Sequence, residues 1–453
     1  MSAVPNQRDA AIDAHRAGDH KTAIRLYSQW LAQNPDDASM WSNYGALLRS
    51  AKQFQLAEQA HRRALALEPT GQGIRANLAN VLSDLGKMDE SIALRRSLLE
   101  ENPNWPEQVS LIGRCLRGSG RYDEAIEWLS PAVDQFPDYT DIRMQLALAQ
   151  MAAGDYDRGF ENYRVRWDTD EVRRPKINLP EWDGEPLEGR TVLVLPEQGF
   201  GDAVLMARHL PDLKAMGAKV ILIAEKPLLR LFSKLPGADV VSTGIPAQTK
   251  IDFYISMMDL PRLAVSTDDD IRPPTELTVP DASKDRAAKI VAPYRDAFKI
   301  GVVWSGSATY RGNAFRSFTH REFWPLLDIE NTQLFSLYKG PYLDAFQQDG
   351  SSALIVDAAS TDRDFADCAA TMLEMDLIIT SDTATAHIAG SLGVPTWVIL
   401  HTDAFWVYRH QGETTPWYPT MRLFRQEQAL EWAPVINTIK QEVISWKNHN
   451  LSC

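Results

Sequence analysis

Hydrophobic and polar positions divide the chain into two regimes. In the first third, whole helix-pair patterns return every 34 residues, marked by Pro35, Pro69, Pro103 and Pro137, each inside a similar phrase: QNPDD, LEPTG, ENPNW and QFPDY. Between them the order Trp41, Tyr44, Gly45, Leu48, Ala57, Pro69 returns as Leu78, Ala79, Leu82, Ser91, Pro103 and again as Ile112, Gly113, Leu116, Ala125, Pro137. The turn inside each pair is visible as AGDH, AKQF, LGKM and SGRY, with a fifth, AGDY, at Ala153 to Tyr156. A single helix pair cannot bury its apolar face, so stacked pairs share one continuous core and leave a concave groove. The fifth unit stops near Trp167 without a closing proline, as a capping unit does.

From residue 168 to 190 the period disappears into DTDEVRRPKINLPEWDGEPLEGR, whose three prolines mark a connector. The pattern then becomes one of short apolar runs separated by helical segments. Thr191–Leu195, Lys219–Ala224, Ile300–Trp304, Gln333–Gly340, Ala353–Ala359, Leu377–Ile379 and Thr396–Leu400 read as strands of parallel α/β sheets. A helix over Ser283–Tyr294 separates a first half, 191–285, from a second, 286–453, and the last helix is expected over Ala429–Trp446. The clearest unit is Asp376–Leu400: strand, polar turn Thr380–Thr383, a helix of small residues (Ala384, Ala386, Ala389, Gly390, Ser391), strand. Free N–H groups and the positive end of the helix dipole meet at that turn, which suits a phosphate.

The first region resembles the tetratricopeptide repeat, because period, small residues and helix-ending proline agree together. Residues 1–167 are therefore expected to form four to five such units, and grooves of this kind bind peptide or protein. Repeat packing accounts for Trp41, Trp105 and Trp128.

Composition narrows the function classes. Against 47 Lys and Arg stand 60 Asp and Glu, a formal net charge of −13, which argues against nucleic acid as a partner. Cys115, Cys368 and Cys453 are too few and too scattered for a disulfide framework or a zinc site. The amino terminus lacks the apolar core of a signal peptide, and no apolar run reaches the roughly 20 residues that span a bilayer, so a cytoplasmic protein with no membrane span is expected.

Candidate chemistry sits at strand ends. After the first strand, EQGFGDAVL carries Gly199, Gly201 and Asp202 in the spacing G-x-G-D rather than the dinucleotide fingerprint G-x-G-x-x-G. Later strands end in Ser305-Gly306-Ser307, followed by the basic Arg311 and Arg316, in Lys339, and in Ser381-Asp382-Thr383, with His387 one turn into the helix. WDGEPLEGR, EQGFGDAVLMARHLP, VWSGS, RSF, SLYKG, DFADCAA, SDTATAHIAGSLGVPTWV and WYPTMRLFRQ, spread over Glu181 to Trp432, resemble a glycosyltransferase module related to the lipopolysaccharide heptosyltransferases and found behind tetratricopeptide repeats in bacterial proteins. The resemblance implies the GT-B fold, two facing Rossmann-like halves with the cleft between them, and a final helix crossing back to the first half.

It also implies that Asp202 is the general base, with Glu197 as the neighbouring alternative; the other reading of Asp202 is a helix cap. Ser305, Lys339, Asp382, Thr383 and His387 then contact a nucleotide-sugar donor, together with Gly201, Gly306, Ser307 and Ser381. Arg316 and Lys339 are suited to stabilising the departing phosphate. No metal is expected, since no D-x-D triplet ends a strand and Asp268–Asp270 lies in a loop. No cofactor is expected beyond the donor. Where relatives carry W-R-W after the last strand, this chain has Phe405–Arg409, followed by Gln411–Tyr418 as a candidate mobile loop over the cleft.

The layout resembles bacterial flagellin glycosyltransferases, which implies a protein Ser or Thr hydroxyl as acceptor, flagellin captured by the repeats, and a CMP-nonulosonic acid donor. A transferase acting on lipopolysaccharide or another glycan from a UDP-, GDP- or ADP-sugar is the second reading. A non-catalytic repeat scaffold is the third.

Overall fold

A 34-residue period places the same residue type at the same bend of every repeat, and the backbone obeys it. Gly18, Gly86, Gly120 and Gly154 all take a left-handed φ of +73° to +89°, and Lys52 holds the equivalent place with φ +61°. A non-glycine residue pays strain there, so Lys52 marks the turn by position and not by composition. The computed structural model describes residues 7–169, 172–310 and 312–450, which leaves Arg311 and Cys453 outside. It contains two compact units, residues 1–149 and 150–453.

The first unit is all helical: Gln7–Arg16, His20–Gln33, Ala38–Ser50, Phe54–Leu67, Gln72–Asp84, Met88–Glu101, Pro106–Gly118 and Tyr122–Gln135, then the start of Thr140–Ala153. These are tetratricopeptide repeats. The small residues of the sequence pattern lie where paired helices cross. A Cβ on Gly45 would come within 2.6 Å of the His61 ring, and one on Gly113 within 2.5 Å of Leu129. Between those two crossings the equivalent position holds Arg95. Its guanidinium is fully buried and bonds Gln108 Oε1 and Asn80 Oδ1, both at 2.7 Å.

The second unit begins inside the last repeat, so its helix Tyr156–Tyr163 and the 3-10 turn Arg164–Asp168 group with the α/β region. Strands β1 (Thr191–Leu195), β2 (Lys219–Ile223), β3 (Val240–Ser242) and β4 (Phe253–Ser256) form a four-stranded sheet in the order β3-β2-β1-β4. Strands β5 (Phe298–Val303), β6 (Thr332–Ser336), β7 (Ile355–Asp357), β8 (Leu377–Ser381), β9 (Thr396–Leu400) and β10 (Met421–Arg425) form a second sheet, order β10-β9-β8-β5-β6-β7. Every pairing is parallel, with Leu193 opposite Ile221 and Val302 opposite Ile379. Crossovers cover both faces of such sheets, so their strands are near-continuously apolar; all five residues of β8 and of β9 are buried. The fold class expected from the sequence, repeats followed by two α/β sheets, is the one found. Among the described residues no helix is long and apolar enough to cross a membrane.

The helical segment after β1 is broken into Phe200–Met206, a 3-10 turn Ala207–His209 and Leu210–Ala215, where Pro211 cannot continue an upstream helix. One local expectation changes. Among the described residues the last helix, Ala433–Asn450, expected to cross back to the first half, packs on the second. Trp446 packs edge-on to Phe298 of β5 and tilted on Trp397 of β9, while Lys447 donates to the carbonyls of Glu330 and Asn331.

A buried ion cluster fastens the helical lead-in to the first sheet. Arg166, 1 % exposed, donates to both carboxylate oxygens of Glu197 (2.8 and 3.0 Å), beyond β1, and of Asp259 (3.0 and 2.7 Å), beyond β4. Its guanidinium also lies 4.4 Å from the Trp167 ring. Arg166→Met leaves two carboxylates facing each other without their cation, a loss of about 3–5 kcal/mol. The expected result is a clearly lower denaturant midpoint for the full chain, followed by tryptophan fluorescence.

Candidate functional site

Open parallel sheets bind ligands outside the carboxyl ends of their strands, where the strand order reverses. In the first sheet the reversal lies between β1 and β4, and in the second between β5 and β8. The loops leaving β1, β5 and β8 carry most of the residues singled out from the sequence. Two helices hold these loops together. Helix Phe200–Met206 from the first half lies directly against the small-residue helix Ala384–Ser391 from the second. A Cβ on Gly201 would stand 2.7 Å from His387 Cδ2 and 3.3 Å from the Ala384 Cα. Glycine is thus needed at 201 for helix contact. The turn itself is made by Gln198, at φ +63°, whose amide donates to the Tyr163 hydroxyl at 2.6 Å and to Glu197 Oε1 at 3.1 Å.

Asp202 stands one residue beyond that contact. The helix starts at Phe200 with Gly199 at its cap, so Asp202 stands at the third helical position, from which its Oδ2 accepts the Gly199 N–H at 2.9 Å. The residue is half-buried. Burial pushes its carboxyl up to about 6; the Gly199 N–H opposes the shift, the negative Asp382 adds to it and Arg316 reduces it. Those last two charges belong to the second half, so Asp202 faces them across the cleft.

Asp382, buried at the end of β8, lies 3.6 Å from Arg316 Nη1. The Arg316 guanidinium stacks 4.4 Å from the Tyr310 ring. Gly306 is wedged into the same place: a Cβ there would meet Arg316 Nη2 at 3.0 Å, Thr383 Cγ2 at 3.1 Å and Asn313 Oδ1 at 3.3 Å. Asn313 organises this loop, taking the Gly306 N–H on its Oδ1 (3.2 Å) and donating through Nδ2 to Ser305 Oγ (3.2 Å). Ser317 donates to Asn313 Oδ1 at 3.0 Å, and Ser305 donates to Ser317 Oγ at 3.0 Å. Ser305 is therefore occupied inside the loop. Ser307 is exposed and pairs with Thr309 Oγ1 at 2.8 Å.

Thr383 is the residue before helix Ala384–Ser391, and no side chain caps that helix start. His387 is buried and bonds through Nδ1 to the Tyr418 hydroxyl at 3.0 Å; burial lowers it to about 4, so the ring is neutral. Lys339 is placed elsewhere. It lies at the end of β6 and donates to the Asp362 carbonyl, beside the Arg286–Asp362 ion pair of 2.8 Å. Glu197, the alternative base, is spent on Arg166 and Ser256.

Three buried polar atoms around this centre have no hydrogen-bond partner among the described residues: Arg316 Nε, Ser381 Oγ and the Tyr408 hydroxyl. Native interiors rarely leave such groups unmatched, and a polar ligand at this centre would satisfy them. Tyr408 was not singled out from the sequence; burial raises its hydroxyl well above the usual range, as do Asp382 and Asp202. The loop expected to be mobile is pinned. Trp417 and Tyr418 are buried, Thr415 donates to the Val407 carbonyl, and Arg425 donates to the carbonyls of Tyr408, Arg409, Gln411 and Gly412.

Family comparison matches tetratricopeptide repeat descriptions to residues 8–72, 48–115 and 116–159. Protein FlbA of Caulobacter vibrioides is 24% identical over 495 aligned residues, covering 95% of this chain and 82% of its own. The small glutamine-rich tetratricopeptide repeat-containing protein 2 of Mycosarcoma maydis is 29% identical over 22% of this chain and 29% of its own. Among solved structures, MamA from Desulfovibrio magneticus RS-1 is 18% identical over 36% of this chain and 96% of its own, with a TM-score of 0.34. The chain thus carries tetratricopeptide repeats over residues 8–159, and its similarity to FlbA continues through both α/β sheets.

Proposed function

We propose that the chain is a glycosyltransferase that moves a sugar from a nucleotide-sugar donor to a hydroxyl of a protein acceptor. The observation that carries this reading is the meeting of the two sheet switch points at Asp202, Asp382 and Arg316. The acceptor oxygen bonds to the anomeric carbon as the bond from that carbon to the donor phosphate oxygen breaks. The hydroxyl proton passes to Asp202, and the electron pair leaves with the phosphate. A base that titrates near 6 is charged at neutral pH and still takes a proton readily. The new phosphate charge is met by Arg316 and by the first-turn N–H groups of helix Ala384–Ser391. The long 3.6 Å separation from Asp382 leaves Arg316 able to serve that phosphate.

The repeats supply the acceptor-binding surface in this reading, with flagellin as the acceptor class suggested by the layout and a cytidine monophosphate-linked nonulosonic acid as donor. The first test is thermal-shift binding of the full chain to CMP, UDP, GDP and ADP, followed by mass spectrometry of flagellin incubated with the matching sugar donor. A ligand that binds the native state raises the melting temperature by mass action. Preference for a nucleoside diphosphate with transfer to a glycan would replace the protein acceptor by a glycan. No shift with any nucleotide would leave a repeat scaffold.

Four outcomes follow for the site. Transfer rate should rise about tenfold per pH unit below about pH 6 and level above it, as Asp202 loses its proton. Asp202→Asn keeps an oxygen for the Gly199 N–H but cannot accept a proton, so transfer should fall by roughly 10²–10⁴. Burial raises this carboxyl from 3.8 to about 6, so the folded chain carries an unfavourable charge above pH 6 that is absent below about pH 4. The melting-temperature gain of Asp202→Asn over the parent should therefore be larger at pH 8 than at pH 4. Finally, Gly201→Ala forces the two helices apart beside Asp202 and should cost on the order of 10² in transfer with the circular dichroism unchanged.

A further inference from the structure

We propose that Tyr310 is the platform on which the donor's nucleobase stacks, an inference that rests on the nucleotide-sugar reading above. Tyr310 is 54 % exposed, among the large apolar side chains left open on this protein. It is nevertheless held in place. One face of the ring takes the Arg316 guanidinium at 4.4 Å. Its edge lies against Gly312, where a Cβ would come within 2.6 Å of Tyr310 Cε1. The backbone around it forms a turn, Tyr310 N–H to the Ser307 carbonyl at 3.2 Å and Asn313 N–H to the Tyr310 carbonyl at 3.0 Å. An aromatic ring with a cation on one face and about half of its surface exposed offers a sequence-tolerant stacking surface.

Its place in the fold selects a base over a sugar. The ring belongs to the loop leaving β5, in the half whose helix Ala384–Ser391 offers the phosphate contacts. Burial raises its hydroxyl above the usual range, Arg316 opposes that shift, and Asp382, Asp403 and Asp202 add to it. Arg316 is in contact with the ring, so a phosphate bound by Arg316 would leave the base about one ribose away, within reach of the exposed part of Tyr310. The sugar to be transferred lies on the other side of the phosphate, toward Asp202.

The test uses the full chain and compares the best-bound of CMP, UDP, GDP and ADP with ribose 5-phosphate, measured by competition. Tyr310→Ala should weaken the nucleotide about tenfold and leave ribose 5-phosphate unchanged, while Tyr310→Phe stays within about twofold of the parent. An equal loss for both ligands would mean that the ring only steadies Arg316, and would overturn the proposal. Unchanged nucleotide affinity in Tyr310→Ala would overturn it as well. If the parent protein binds no nucleotide at all, the transferase reading fails and this inference falls with it, a result distinct from either variant outcome.

Discussion

The α/β region depends on one close approach. Helix Phe200–Met206 and helix Ala384–Ser391 come from different sheets, and they touch where Gly201 meets His387 and the Ala384 backbone. Each helix begins at the switch point of its own sheet. Their contact therefore sets the loop after β1 opposite the loop after β8, and with it Asp202 opposite Asp382 and Arg316. The small side chains on both surfaces are what allow it. At the other end of the second helix, Gly390 lies as closely on Tyr418, where a Cβ would stand 2.5 Å from the ring. His387 fills the space between, neutral and bonded to Tyr418. A packed interior has little room to absorb even one added methyl, so this geometry is stiff where the chemistry needs it to be.

The same contact creates an electrostatic problem that the site turns to use. Two carboxylates share one guanidinium. Asp382 is the one that lies against Arg316, whereas Asp202 has only a backbone N–H for support. When like charges compete for one cation in a poorly hydrated place, the less well-supported group gives up its charge first. Burial is the main reason that the proton affinity of Asp202 rises, and the negative Asp382 adds to it. The bond to the Gly199 N–H uses Oδ2, so it is compatible with the proton-transfer role proposed for Asp202.

A second constraint explains where the two compact units divide. The last repeat helix, Tyr156–Tyr163, is committed to the α/β region. The Tyr156 hydroxyl donates to Asp268 at 3.0 Å, receives the Trp417 indole N–H at 3.1 Å, and its ring is enclosed by Phe160, Trp406 and Trp417. Asp268 belongs to the first half and Trp417 to the second, and Arg409 closes the group by bonding Asp268 at 2.6 and 2.7 Å. One helix thus ties both halves, and Arg166, a turn later, ties the loop that leads to Asp202. A repeat unit that packs so heavily on its neighbour cannot behave as the end of a free array. The sequence departure at Phe405–Arg409 has its physical reason here: Trp406 packs on Tyr156, Tyr408 reaches the site, and Arg409 adopts φ +59° to meet Asp268.

What could be read from the sequence alone follows from how local the signal is. The repeats were legible because their period repeats a local rule, a small residue at each crossing and a left-handed residue at each bend, so that Lys52 could be placed from its neighbours. The βαβ unit at Asp376–Leu400 and the strand-end clusters were legible because apolar runs and turn residues are contiguous. Gly201 shows the limit. Its local context, G-x-G-D, reads as a tight turn near a ligand, yet the turn is carried by Gln198 and the glycine answers to His387, 186 residues away by number. Lys339 and Ser305 likewise read as ligand contacts because they end strands, although one turns to Asp362 and the other to Asn313 and Ser317. Arg166, Tyr310 and Tyr408 carry no motif at all, since each is defined by partners from other elements. A strand end says that a side chain is near a cleft. Which of those side chains keeps an unmatched polar atom or an open ring face is decided only when the two sheets meet.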